Sequence, residues 1–166
     1  MMKAISNLID QLSVRLGKSI AWLILLMMFM TATVVVMRYF LNVGSIALQE
    51  AILYLHGCVI MLGIGYTLKT NGHVRVDVLN RRFNPRQKAW VELLGCCLFL
   101  VPLSIFILVT SLPYVAFSWS VLESSGAPGG LPGVFILKTL IPLMAVLLFL
   151  QGISEAIKAW QTLRKR

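Results

Sequence analysis

Four stretches of this chain carry almost no charge, and their length constrains the fold more than any other feature. Residues 19–37 contain no ionisable side chain. At about 1.5 Å per residue, a helix of that length nearly matches a hydrocarbon core about 30 Å thick. Residues 51–68 carry only His56, residues 93–122 carry no charge, and neither do residues 139–154. The last run reaches back to Leu131 if the lone Lys138 snorkels. The third is longer than a perpendicular helix needs, so it should tilt, with bends at Pro102 and Pro113.

Composition supports the same reading: 58% of residues are hydrophobic and only 13% are charged. That excess of apolar surface excludes an ordinary water-soluble fold. The net charge of +9 does not point to nucleic acid, because the basic residues fall between the apolar runs and form no soluble patch. The expected fold is therefore an all-α integral membrane protein with four transmembrane helices. Residues 1–166 form one membrane domain, with spans of approximately 19–39, 50–69, 88–120 and 134–156. Cys58, Cys96 and Cys97 form no C-x-x-C pair, which argues against a thiol relay or a disulfide scaffold.

Charge sets the expected orientation. Lys3, Arg15 and Lys18, then Lys69, Arg75, Arg81, Arg82, Arg86 and Lys88, then Lys158, Arg164, Lys165 and Arg166 share one side of a four-span chain. Only Arg38 and Lys138 fall on the other. The positive-inside rule therefore places both termini in the cytoplasm. Trp22, Trp90 and Trp160 fall near the inner boundaries and Trp119 near an outer one, the pattern of interfacial anchors beside membrane lipids. Ile5, Leu8, Ile9, Leu12 and Leu16 follow helical spacing, so residues 1–18 read as an amphipathic helix on the inner surface. It is not a cleavable signal peptide, because the long apolar run behind it lacks a small-x-small cleavage site.

The charged segment 67–82, "TLKTNGHVRVDVLNRR", is then the inner connection between spans two and three. Asn71-Gly72 should end the second helix, with Gly72 as a left-handed cap. Val74, Val76 and Val78 alternate over too few residues for a lone strand, so a short interfacial segment is expected, with Arg75 and Asp77 facing water. Asn84-Pro85 starts the third helix. His73 has no nucleophile or metal-ligand set beside it, and no catalytic residue or metal site is expected.

Inside the spans, polar residues are few: His56, with Arg38 and Glu50 at outer boundaries, Thr31 and Thr33, and Ser104, Thr110 and Ser111. That set is too sparse for an ion pathway or proton relay. Gly57, Met61 and Gly65 recur every four residues, with Gly63 close by, and let helices approach closely. "GAPGGLPG" in the last outer loop lacks the lysine of a phosphate-binding loop and reads as a compact turn.

Taken together, "RYFLN" (38–42), "QEAILYLHGCVIMLGIGYTLKTNGHVRVDVL" (49–79) and "SWSVLESSGAPGGLPGVFILKTLIPLMAVLLFLQGISEAI" (118–157) resemble the DctQ-type small permease subunit of tripartite ATP-independent periplasmic (TRAP) transporters. The resemblance runs over nearly the whole chain. It includes an acid at the start of span two (Glu50) and a Gly-His-x-x-x-Asp loop at Gly72, His73 and Asp77. The tryptophan that often precedes that acid has no counterpart in residues 45–49.

What the resemblance implies is a non-enzymatic scaffold in a bacterial inner membrane. Its partners would be a large multi-span permease (M-type) subunit and a periplasmic substrate-binding protein (P-type). The substrate would be an organic acid of the C4-dicarboxylate or 2-oxo acid class. No cofactor would be bound by this subunit, and the Na+ gradient would be used through the large one. The assembly interface would involve Arg38, Asn42, Glu50, Tyr54, Gly57, Met61 and Gly65. Arg38 and Glu50, close across the first turn, would pair with each other or with the partner. The competing reading is a haem-bearing membrane anchor of a respiratory enzyme, which would need histidines at matching depth on facing helices. His56 near the outer side and His73 at the inner surface do not supply them.

The charge asymmetry makes a direct prediction. In a background without native cysteines, a cysteine at Ser45 should react with an impermeant maleimide in intact cells, and one at Asn80 should not. Labelling at Asn80 would overturn the orientation.

Overall fold

The computed structural model describes residues 2–70, 72 and 83–164. Among them lie four helices, each long and apolar enough to cross a membrane: α1 (Met2–Phe40), α2 (Ile46–Lys69), α3 (Pro85–Ser120) and α4 (Val134–Arg164). No strand occurs among the described residues. Helices suit these sequences because each pairs its backbone groups internally, where lipid offers no partner.

The helix ends have local causes. Asn42 adopts a left-handed φ of 52°, which Asn tolerates better than most residues, and Val43 N–H turns back to Met37 O at 3.0 Å. Ser45 then caps α2, accepting the Leu48 N–H at 3.3 Å. At its far end α2 is closed by Thr70, whose hydroxyl donates to Tyr66 O at 2.9 Å. Gly72 N–H donates to Thr67 O at 2.9 Å, a second bond that closes the helix end. Asn84-Pro85 opens α3 as the sequence indicates, with Asn84 N–H bonded to Gln87 Oε1 at 2.9 Å. The valines of the connecting segment, with His73, Arg75 and Asp77, lie outside the described residues.

Within α3, residues Cys96–Leu100 form a π turn, and Val101 N–H reaches back to Cys96 O. Pro102 follows immediately and has no N–H to give, so the regular ladder is interrupted at the predicted proline.

Residues 2–18 differ from expectation. They do not form a separate surface element but continue without a break into α1, giving a helix of 39 residues, about 58 Å long. Ser6, Asp10 and Ser13 are buried, while Leu8 is 69% exposed and Ile5 and Leu12 are exposed as well. The stripe of Ser6, Asp10 and Ser13 therefore points into the protein, while Lys3, Asn7 and Gln11 stay exposed. The reason is chemical: α4 presents matching polar groups alongside it.

The hub is α4, which packs against each of the other three helices, whereas α3 packs along α4 and has no comparable contact with α1 or α2. Small residues allow these approaches. Ser104, Ser111 and Ser118, spaced at two helical turns, lie on the buried face of α3. Gly57 meets Leu137 and Leu140 of α4, and Gly65 meets Ser13 of α1 and the Leu147 carbonyl. A Cβ on Gly152 would lie 2.1 Å from Leu100 Cδ2.

Gly17 of α1 is covered by the Tyr66 ring, where a Cβ would stand 2.4 Å from Tyr66 Cγ. Gly17→Ala should lower stability by about 1–3 kcal/mol through overpacking. Gly63→Ala, with open space around it, should be neutral or stabilise by up to about 1 kcal/mol. Unfolding in mixed detergent micelles checks both, and equal effects would show that the Gly17–Tyr66 contact does not matter.

Candidate functional site

Two polar clusters hold the helices together, one at each end of the bundle. At the end that carries the described termini, Ser6, Asp10 and Ser13 share one face of α1, and Gln151, Ser154, Glu155 and Lys158 share one face of α4. Asp10 lies between them. Its Oδ2 takes Lys69 Nζ of α2 at 2.5 Å and Lys158 Nζ of α4 at 2.8 Å. Its Oδ1 accepts from Ser154 Oγ at 2.8 Å and Gln151 Nε2 at 3.1 Å. Gln151 also donates to Glu155 at 2.9 Å and accepts from Ser13 Oγ at 2.7 Å. Ser6 and Ser154 hydroxyls meet at 2.8 Å, and Lys158 bonds Glu155 at 2.8 Å. Two lysines thus face two carboxylates, and the buried amide and hydroxyls are all bonded, which is what makes such a group tolerable away from water.

At the opposite end, Glu50 reaches the loop between α3 and α4. Leu131 N–H donates to Glu50 Oε2 at 2.6 Å, and Ser125 Oγ bonds Oε1. The loop is folded around Ser125, whose N–H donates to Leu131 O at 3.1 Å and whose hydroxyl accepts from Ala127 N–H at 3.1 Å. Gly130 sits so close that a Cβ would lie 2.8 Å from Glu50 Oε1, and Gly129 has a φ of 77°. Those two glycines explain why "GAPGGLPG" is a turn of this composition.

Beside it, Glu123 accepts from Lys138 Nζ at 2.5 Å and Ser118 Oγ at 2.6 Å. Lys138 also lies 4.1 Å over the Tyr114 ring. The Lys138 and Ser118 bonds hold the Glu123 carboxyl below the usual carboxylate range. This pair is thus present at neutral pH and is lost only as pH falls through that lowered value.

The residues expected at an assembly interface separate into distinct roles. Arg38 is exposed and makes no ion pair with Glu50, whose carboxylate is taken by the distant loop. Asn42 is the turn residue. Tyr54 stands beside Gly133, and its hydroxyl is buried without a hydrogen-bond partner among the described residues. Gly57 and Gly65 meet helices of this same chain, and Met61 is half-buried between them.

Of the four tryptophans, Trp90 and Trp160 lie toward the end of the described termini. Trp119 lies at the opposite end, with Nε1 bonded to Thr139 Oγ1 at 2.9 Å and its ring edge-on to Phe135. Trp22 is 72% exposed but stands elsewhere. Ser13 meets Gly65, and nine residues further along α1 is about 14 Å, which sets Trp22 beside the middle of α2 and away from either helix end.

Asp10 lies in the segment expected to be an amphipathic surface helix, and Gln151, Ser154 and Glu155 carry no role in the expectations from sequence. The available signal was their spacing with Lys158 at i, i+3, i+4 and i+7, a polar stripe on one face of the last apolar run. No group of three or more His, Cys, Asp or Glu suited to a metal occurs among the described residues.

The family model described as "Tripartite ATP-independent periplasmic transporters, DctQ component" matches residues 6–162. No curated protein and no solved structure matches the chain.

The termini-end cluster generates a stability prediction. Asp10→Asn leaves Lys69 and part of Lys158 uncompensated and should destabilise the bundle by about 2 kcal/mol. That is less than the roughly 3–5 kcal/mol of a fully buried pair, since both lysines are partly exposed. Adding Lys69→Met should recover part of the loss. Detergent-micelle unfolding of the single and double variants measures it, and an unchanged Asp10→Asn would show that the network is dispensable.

Proposed function

The chain belongs to the DctQ component family of tripartite ATP-independent periplasmic transporters, and from that membership we propose that it is the small, scaffolding membrane subunit of a sodium-coupled organic-acid importer. In this reading a larger permease carries the substrate and the sodium ions. The small subunit fixes that permease in the membrane, with both termini in the cytoplasm of a bacterial cell. The observation that carries it is the family match over residues 6–162, a transporter component and not an enzyme family.

The use to which the chain puts its polar groups supports a bracing role. Asp10, Gln151 and Ser154 are spent on bonds between helices, and Glu50 is spent on the α3–α4 loop. A rigid bundle with its carboxylates so occupied suits a scaffold better than an ion carrier, whose site must bind and release its ion. The substrate class, C4-dicarboxylate or 2-oxo acid, rests on the likeness of residues 118–157 to that branch of the family. The compact loop held by Glu50 offers a firm surface on which a periplasmic binding protein could rest.

Reconstitution tests the proposal. Proteoliposomes holding the small and large subunits with the binding protein should accumulate the organic acid on a sodium gradient. Vesicles holding the large subunit alone should fall to a small fraction of that rate, and vesicles holding only this chain should show none. Sodium-driven uptake by this chain alone would defeat the scaffold reading.

A further inference from the structure

The second helix has two faces of opposite character. Glu50, Tyr54, Gly57 and Gly65 turn toward α4 and the loop before it. Gln49, Leu53, His56 and Ile60, at i, i+4, i+7 and i+11, point away from α4, and Leu53 and Ile60 are each 58% exposed. Met27 and Thr31 of α1 stand beside that second face, so Met27, Thr31, Gln49, Ile52, Leu53 and His56 line a groove between the two helices.

Its polar groups are of two kinds. Thr31 donates its hydroxyl to Met27 O at 2.7 Å and is satisfied within α1. The His56 imidazole and the Gln49 carboxamide are exposed and have no hydrogen-bond partner among the described residues. His56 lies seven residues, or about 10 Å, along α2 from Gln49, within the outer part of the apolar stretch. An acyl chain cannot bond an imidazole, and ionisable side chains within spans are nearly always turned toward protein or a wet cavity.

The opposite flank of the molecule makes the contrast. Phe99, Phe106, Val109 and Phe117 of α3 are exposed, and the exposed Thr110 among them bonds its own helix at Phe106 O, 2.7 Å away. That surface asks nothing of its surroundings but apolar contact. The α1–α2 groove asks for hydrogen bonds.

We propose that this groove, centred on Leu53 and His56, is the seat of a transmembrane helix of the larger permease subunit, one that presents a hydrogen-bonding side chain to His56. The inference rests on the subunit reading given above and adds the face that is used. A single convex helix fits between α1 and α2, as in helix-in-groove recognition. A second copy of this chain would bring a groove against a groove, because a two-fold contact uses the same patch twice, and that leaves both imidazoles facing a gap.

The test uses the co-expressed complex in native membranes, with a benzophenone amino acid in place of Leu53 or, on the other flank, Phe106. Leu53 should give an adduct with the large permease, and Phe106 should give little or none. Separately, His56→Leu should lower co-purification of the large subunit by about fivefold, the size of one interhelical hydrogen bond in a membrane, while His56→Gln should largely retain it. Both substitutions are at an exposed position and leave the bundle's internal contacts untouched. If the unmodified chain fails to co-purify with a large permease, the subunit reading itself falls. If it co-purifies but Leu53 gives no adduct, or gives one of twice this chain's mass, the docking face is wrong and the subunit reading stands.

Discussion

A carboxylate buried between helices has to be answered by other protein groups, and Asp10 is answered by four side chains on two other helices. Lys69 comes from α2, and Gln151, Ser154 and Lys158 come from α4. This places the N-terminal part of α1 upright beside the last turns of α4. It also fixes the register along which Ser13 finds Gly65 and Gly17 finds Tyr66. Apolar packing alone would not choose one register so firmly, because Leu, Ile and Val contacts slide past one another at little cost in a solvent that is equally apolar. The cluster gives the three-helix side of the molecule a unique arrangement, and α3 then attaches along α4 through its seam of serines.

Much of this was legible in the sequence, and the omissions share one cause. The four long helices and the Asn84-Pro85 start were readable because chain length, charge-free runs and proline chemistry act locally. The interruption of α3 at Pro102 was readable for the same reason. The placement of residues 2–18 was not. Helical periodicity tells which residues share a face, but not whether the polar face meets water or a polar stripe on another helix. Asp10 falls on the polar side of an amphipathic helix, and nothing in its own segment names Gln151, Ser154 and Lys158 as its partners. The loop partners of Glu50 were hidden for a related reason. Arg38 is near in sequence and of opposite charge, whereas Ser125 and the Leu131 N–H are far along the chain, and a backbone N–H leaves no trace in an amino-acid code.

Family membership and geometry meet on one point. A DctQ component works beside other subunits, and the described structure has one end closed by Asp10 and the other by Glu50. Between those closures α2 gives its small residues to α4 and leaves a polar pair, Gln49 and His56, on its other side. The chain is thus stiff where it meets itself and chemically unfinished where it meets its surroundings.

The central position of α4 has a consequence in time. It is the fourth helix to be synthesised, yet it is the one on which α1, α2 and α3 all pack. The bundle therefore cannot be completed until its last helix is made. While α4 is still being synthesised, α1 and α2 can already meet, and Asp10 can be neutralised by Lys69 alone. The half-finished hairpin thus carries its own counter-charge while it waits. Gln151, Ser154 and Lys158 then replace a provisional pair with a complete set of bonds, so the final helix closes the structure as it enters the membrane.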